Sequence, residues 1–215
     1  MTRIIGGTAG GRRLRTPSGP LTRPTSDRVR EALFSALESA LGSLAGLRFL
    51  DLYAGSGAVG LEAASRGATA VTLVEQDRRT AALVRQNAAA ADLVGQAAIE
   101  VVPMSVSRYL GGDRVRPPGS AYDVVFLDPP YDLAAAKVTD DLRALTRGWL
   151  TDDALVVVER STRTGAVAWP SGYEPARTRT YGETALWSGT WSSRSDEVLR
   201  YGHDDLPASP PVQEP

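Results

Sequence analysis

The chain reads as an α/β protein built on a doubly wound, mostly parallel sheet, with a C-terminal antiparallel hairpin and a small N-terminal arm or β-hairpin. Three observations predict this. Between residues 48 and 159, short β-rich runs alternate with helical patterns, which is the signature of βαβ units. The first of these strands runs into Gly55-Ser56-Gly57-Ala58-Val59-Gly60, a glycine turn that opens a helix, as in Rossmann-like sheets. Near the C-terminus the alternation stops, and two strand-like runs flank Gly182 with no room for a helix between them.

Each element follows in order. Arg3-Ile4-Ile5 and Arg12-Arg13-Leu14-Arg15 are two short strands around Gly6-Gly7 and Gly10-Gly11. Ser26 and its neighbours offer caps for a helix from about Ser26 to Leu41, with Val29, Leu33, Phe34, Leu37 and Leu41 on its core face. Arg48–Tyr53 is a strand and Gly57–Arg66 a helix; Ala70–Glu75 is a strand and Arg78–Ala91 a helix. Ala98–Val102 is the third strand, followed by a short helix near Val106–Leu110 and a polar loop over Gly111–Ser120. Asp123–Leu127 is the fourth, an apolar run buried on both faces. Leu133–Arg147 is helical, Ala154–Glu159 the fifth strand, and Tyr173–Tyr181 with Thr184–Trp191 the hairpin. This divides the 215 residues into a basic arm (1–22), a folded domain (23–195) and a tail (196–215) rich in Pro, Asp and Ser that is expected not to fold.

Composition removes whole classes of chemistry. Cysteine is absent and His203 is the lone histidine, so disulfides, Cys-ligated zinc, Fe–S clusters and Cys-His or Ser-His nucleophiles are excluded, and no metal site is expected. No apolar run approaches the roughly 20 residues of a membrane span, and the N-terminus has no signal-peptide core; a cytoplasmic protein, with nothing that demands more than a monomer, is expected. Charge is polarised. Residues 1–30 carry seven arginines against Asp27, a sum of +6, so the remainder carries −7 of the net −1. A basic arm on an acidic body points to a polyanionic partner, with Arg3, Arg12, Arg13, Arg15 and Arg23 as its contacts.

Two motifs carry the chemistry. Asp51, Tyr53, Ala54, Gly55, Ser56 and Gly57 lead from a strand through the glycine turn, where glycines let a ligand touch backbone N–H groups. Glu75, 20 residues past Gly55 and followed by Gln76, sits where an acidic residue bonds ribose hydroxyls. Together they bind an adenosine-type ligand. NAD wants few carboxylates near its pyrophosphate; Asp51 instead suits the ammonium end of a methionine moiety, so the reading favours S-adenosyl-L-methionine. Met104 and Ser105, after the third strand, are candidates to meet adenine. The second motif is Asp128-Pro129-Pro130-Tyr131, at the carboxyl end of the fourth strand. The prolines end regular structure and leave a rigid turn. A carboxylate, carbonyls and an aromatic ring can together accept hydrogen bonds from an NH2 group on a flat ring and stack on that ring.

Arg3-Ile4-Ile5-Gly6-Gly7, Gly10-Gly11-Arg12 and Arg23-Pro24-Thr25-Ser26-Asp27-Arg28-Val29-Arg30-Glu31-Ala32-Leu33-Phe34 resemble the N-terminus of the bacterial 16S rRNA guanine-N2 methyltransferases. Asp51–Gly57, Phe126–Tyr131 and Tyr181-Gly182-Glu183-Thr184 fit the same family, so the resemblance spans about residues 3–190. It implies a class I methyltransferase fold. It also implies transfer of a methyl group from S-adenosyl-L-methionine to N2 of one guanine in 16S rRNA, with rRNA or the small ribosomal subunit as partner. The scarcity of lysine and the C-terminal tail depart from the family without touching the motifs. Competing readings are an amino methyltransferase of DNA adenine or another base, a protein-glutamine N-methyltransferase (which favours Asn at the first motif position), a nonenzymatic RNA-binding assembly factor, and an NAD(P) oxidoreductase.

Overall fold

Fifteen-residue helix α1 (Asp27–Leu41) is preceded by a two-stranded ladder, β1 (Thr2–Arg3) against β2 (Arg13–Leu14), and followed by the alternating core of the molecule. A computed structural model describes residues 2–17, 26–111 and 119–193. Arg23, most of the Gly111–Ser120 loop and the 196–215 tail lie outside the described residues. The core runs β3 (Arg48–Leu52), α2 (Ala58–Ser65), β4 (Ala70–Val74), α3 (Arg78–Ala90), β5 (Ala98–Val102), α4 (Val106–Leu110), β6 (Tyr122–Leu127), α5 (Ala135–Leu145) and β7 (Leu150–Ser161). The hairpin of β8 (Tyr173–Tyr181) and β9 (Thr184–Trp191) ends it.

The seven strands β3 to β9 form one sheet of order β5-β4-β3-β6-β7-β9-β8. The first five are parallel; β9 pairs antiparallel with both β7 and β8. The chain reverses direction across the sheet between β3 and β6, the topological switch point where such sheets bind ligands. One continuous row of partners, Val102, Val74, Leu52, Leu127, Val158, Trp187 and Thr178, crosses every strand near the carboxyl ends of the parallel ones. Phe34, Phe49, Leu61, Val71 and Phe126 fill one face, and Leu50, Val125, Val156, Leu142 and Trp149 the other.

Helices α1 and α3 begin at capping side chains. Ser26 accepts from Val29 N at 3.3 Å, as a cap should, and Asp77 accepts from Thr80 N at 2.7 Å. Several boundaries differ from the sequence expectation: β1 and β2 are two-residue strands shifted or trimmed from Arg3–Ile5 and Arg12–Arg15, and β7 runs on to Ser161. Strand β7 starts at Leu150 rather than Ala154, because Leu150 pairs with Tyr122 and the ladder resumes at Leu155 opposite Val124 after an irregularity that takes up Asp153 at φ 63°. Helix α5 is shorter at both ends than Leu133–Arg147, since Leu133 N–H is committed to Pro130 O at 2.9 Å and a turn precedes the helix.

The arm is fastened to the body. Glu62, wholly buried on α2, accepts from Ile5 N (2.6 Å), Gly6 N (2.8 Å) and Arg66 Nε (2.8 Å). Gly7 lies at φ 75°, and a Cβ there would sit 1.9 Å from Ser65 O, so only glycine lets the arm lie this close to α2. Ile4, Ala9 and Leu14 are buried in the same core as α1 and α2.

Candidate active site

Two turns lie side by side at the switch point. Strand β3 ends at Leu52 and β6 at Leu127; these two are register partners, and Asp128 N donates to Leu52 O at 3.3 Å. From Leu52 the chain enters Tyr53 at φ 66°, a conformation uncommon outside glycine. The Tyr53 hydroxyl donates to Asp141 Oδ2 at 2.5 Å, and Asp141, buried on α5, also takes Lys137 Nζ at 2.8 Å. Burial and this carboxylate neighbour push the Tyr53 phenol well above its ordinary range. Tyr53 is thus anchored backwards into α5.

The glycine turn is wired through its backbone. Ala54 N donates to Val74 O at 3.0 Å and Gly57 N to Ala54 O at 2.8 Å. Gly57, at φ 79°, abuts α3: a Cβ there would lie 2.7 Å from Val84 Cγ1. Glu75, just past β4, accepts from Gly55 N at 2.9 Å through Oε2 and from Asp77 N at 2.8 Å through Oε1. Its pKa is raised, chiefly by burial. Asp51 lies beneath the turn, buried, with Oδ2 accepting from Gly60 N at 2.8 Å. Its carboxyl is pushed up to about 8, first by burial and then by the charges of Asp128 and Glu75. Asp128 and Glu75, from the ends of β6 and β4, thus act on the Asp51 carboxyl.

The remaining predicted cofactor residues occupy the same rim. Gln76 is exposed beside Glu75. Met104 is half-buried against the core, and the Ser105 hydroxyl caps α4, accepting from Arg108 N at 3.4 Å. Ser56 O accepts from Asn87 Nδ2 at 3.0 Å. Asn87 also exchanges two 2.9 Å bonds with the Arg15 backbone, so one buried amide joins the arm to the glycine turn.

On the other side, Pro129 is buried, Pro130 exposed, and Tyr131 is 56% exposed, unusual for so large a ring. The turn is closed by the bond from Leu133 N to Pro130 O and held from below by Arg160, whose Nη2 donates to Leu133 O at 2.9 Å. Of the predicted RNA-contacting arginines, Arg12, Arg13 and Arg15 are exposed, and Arg3 faces Asp27 at 3.3 Å. Arg30, counted in the basic arm, is wholly buried instead: it bonds Asp27 and the Arg3 carbonyl, and burial lowers its pKa. Asp141, Asn87, Glu62 and Arg160 were not singled out from the sequence. Only the Lys137/Asp141 and Glu62/Arg66 spacings of four residues hinted at them.

The site fits an adenosine-type cation. Gly55 faces open space where a Cβ would meet nothing within 4 Å. The gathered carboxyls of Asp51, Glu75 and Asp128 favour a positively charged ligand over a pyrophosphate. Among the described residues no group of acidic and histidine side chains could hold a metal, and no helix is long and apolar enough to cross a membrane.

Comparison with known proteins agrees. The family model described as Conserved hypothetical protein 95 matches residues 2–189. Ribosomal RNA small subunit methyltransferase D of Escherichia coli is 37% identical over 183 residues, covering 85% of this chain and 86% of that protein. The chain belongs to that methyltransferase family. The solved structure of Escherichia coli yhhF superposes with a TM-score of 0.75 at 31% identity, covering 89% of this chain and 98% of that one. SMU.776, solved in complex with SAH, superposes with a TM-score of 0.60 over 76% of this chain and 48% of that one; at 19% identity this likeness carries the fold alone. Family membership, with the observed mostly parallel sheet and antiparallel C-terminal strands, bears out the fold class and the methyltransferase reading, and replaces the oxidoreductase and nonenzymatic alternatives.

Proposed function

We propose that this protein transfers a methyl group from S-adenosyl-L-methionine to the exocyclic N2 of a guanine in small-subunit ribosomal RNA, in the cytoplasm. The observation that carries the reading is the adjacency of Asp128-Pro129-Pro130-Tyr131 to the glycine turn at the switch point, in a chain of this family. Gly55, Ser56, Gly57, Glu75, Gln76, Met104 and Ser105 would hold the cofactor, with Asp51 acting on its ammonium end through the turn it supports. When bound, the cofactor supplies an electrophilic sulfonium methyl.

Everything else falls to the chain's own groups. The guanine N2 lone pair is delocalised and weakly nucleophilic, so the protein must orient the amine, a positioning effect. Asp128 accepts one N–H and the Pro129 carbonyl the other. Positive charge grows on nitrogen during transfer, so both acceptors bind the transition state better than the ground state. The proton leaves after transfer, so Asp128 need not be a strong base. Tyr131 stacks on the unpaired base, and its exposure supports a partner that arrives from solvent. The arm, ending at Arg15 beside the glycine turn, brings Arg12, Arg13 and Arg15 to RNA phosphates near the site.

Nucleoside mass spectrometry tests the proposal. Unmethylated small-subunit rRNA, naked and assembled, is incubated with protein and S-adenosyl-L-methionine. N2-methylguanosine is the expected product. N6-methyladenosine would replace the substrate, and no product from either form would overturn the proposal.

A further inference from the structure

Outside the site, the clearest unassigned feature is a groove on the outer part of the sheet. It has a volume of about 280 Å³ and is bordered by Val167, Trp169, Pro175, Arg177, Thr178 and Trp187, close to the lower end of small-ligand pockets, roughly 300–1,000 Å³. Nothing in the reaction described above uses it.

Its walls are built rather than accidental. Trp169 leans on Gly189, where a Cβ would approach the indole to 3.1 Å, and its ring lies 5.4 Å from that of Tyr173. Trp187 is half-buried and lines the same groove. Arg177, exposed on β8, adds a cation at the border. Aromatic walls bordered by a guanidinium suit an unpaired nucleotide.

Register gives the groove its relation to the active site. Leu127, immediately before Asp128, pairs with Val158, Val158 with Trp187, and Trp187 with Thr178. Trp187 therefore stands level with the catalytic turn, two strands away, which is about 10 Å at the usual strand spacing. That is a short step along a single RNA strand.

Resting on the proposed rRNA substrate, we propose that Trp169, Trp187 and Arg177 form a second subsite that holds one unpaired nucleotide flanking the target guanine. The subsite binds the strand and so sets which guanine is presented, without touching the reacting atoms.

The test is steady-state methylation of unmethylated small-subunit rRNA by the full chain, with Trp169→Ala and Arg177→Ala compared with the unmutated protein. Photo-cross-linking of the same RNA carrying 4-thiouridine near the target accompanies it. Expected are a KM for RNA raised about tenfold, kcat within twofold, unchanged cofactor affinity, and cross-links to residues 166–189. Should Trp169→Ala melt early, Arg177→Ala, on an exposed side chain, carries the kinetic test. An unmoved KM in the folded variants, or cross-links confined to other segments, overturns the subsite while leaving the proposed function intact. Unmutated protein that methylates no small-subunit rRNA overturns the proposed function and this inference with it.

Discussion

The two turns at the switch point are neighbours in the sheet and opposites in construction. In the glycine turn almost every polar group is already engaged: Glu75 holds Gly55, Asp51 holds Gly60, and Asn87 holds Ser56. The Asp-Pro-Pro-Tyr turn is stiffened by its prolines and by Leu133, yet it turns a tyrosine ring to solvent. On the proposed roles, the difference teaches that a small ligand would meet a preorganised cradle, whereas the RNA side would stay open until the macromolecule completes it. Preorganisation lowers the ordering cost of binding a small molecule. A base that must leave its stack needs an accessible partner.

Predictions that break or sharpen this contrast run from the largest effect downwards. Asp51 should make the engaged turn sensitive to pH. Its folded pKa, about 8, lies above the ordinary carboxylate value, so the folded state holds the proton more tightly than the unfolded state. That stabilisation is fully present below about pH 4 and is lost as pH rises through about 8. Asp51→Asn, which keeps an acceptor for Gly60, should gain on the unmutated protein in melting temperature across this window and hold a constant difference above it. Parallel melting curves from pH 5 to 9 would refute the assignment.

Glu62→Ala should cost about 3–5 kcal/mol in denaturant unfolding, because it strips a buried acceptor from Ile5, Gly6 and Arg66. A loss under 1 kcal/mol would mean that the arm is not fastened this way. Asp128→Ala should lower single-turnover methylation by roughly 10²–10³-fold while calorimetric cofactor affinity moves only a few-fold. Comparable losses in both would blur the division between the two turns. Tyr131→Ala should weaken RNA binding by about 1–3 kcal/mol and change stability by less, the residue being 56% exposed. Smallest is the arm: each phosphate contact removed among Arg12, Arg13 and Arg15 should flatten the salt dependence of RNA affinity by roughly 0.7 in log–log slope. An unaltered slope in the triple alanine variant would separate the arm from RNA.

Much of the fold was readable because parallel strands and amphipathic helices impose periods on the chain. Ala98–Val102, Val106–Leu110, Tyr173–Tyr181 and Thr184–Trp191 form where the pattern put them. Leu150–Asp153 was missed since three polar residues resemble a loop until Tyr122 of β6 offers Leu150 a partner. In the site, the glycine turn, Glu75 and the Asp-Pro-Pro-Tyr turn were visible as local motifs. Their supports were not: Asn87 is 31 residues from Ser56, Asp141 is 88 from Tyr53, and Glu62 is 57 from Ile5.

By itself, then, the amino-acid sequence determined the βαβ alternation, the two motifs, the polarised charge and the absence of thiol chemistry, because each depends on residues close together in the chain. Tertiary structure alone decided that Asp51 points inward beneath its turn, that Arg30 is a buried strut rather than a free charge, and that Trp187 stands level with Leu127. Those properties depend on which strand lies beside which, and on how much water burial removes from a charge. Neither is written in any short stretch of residues.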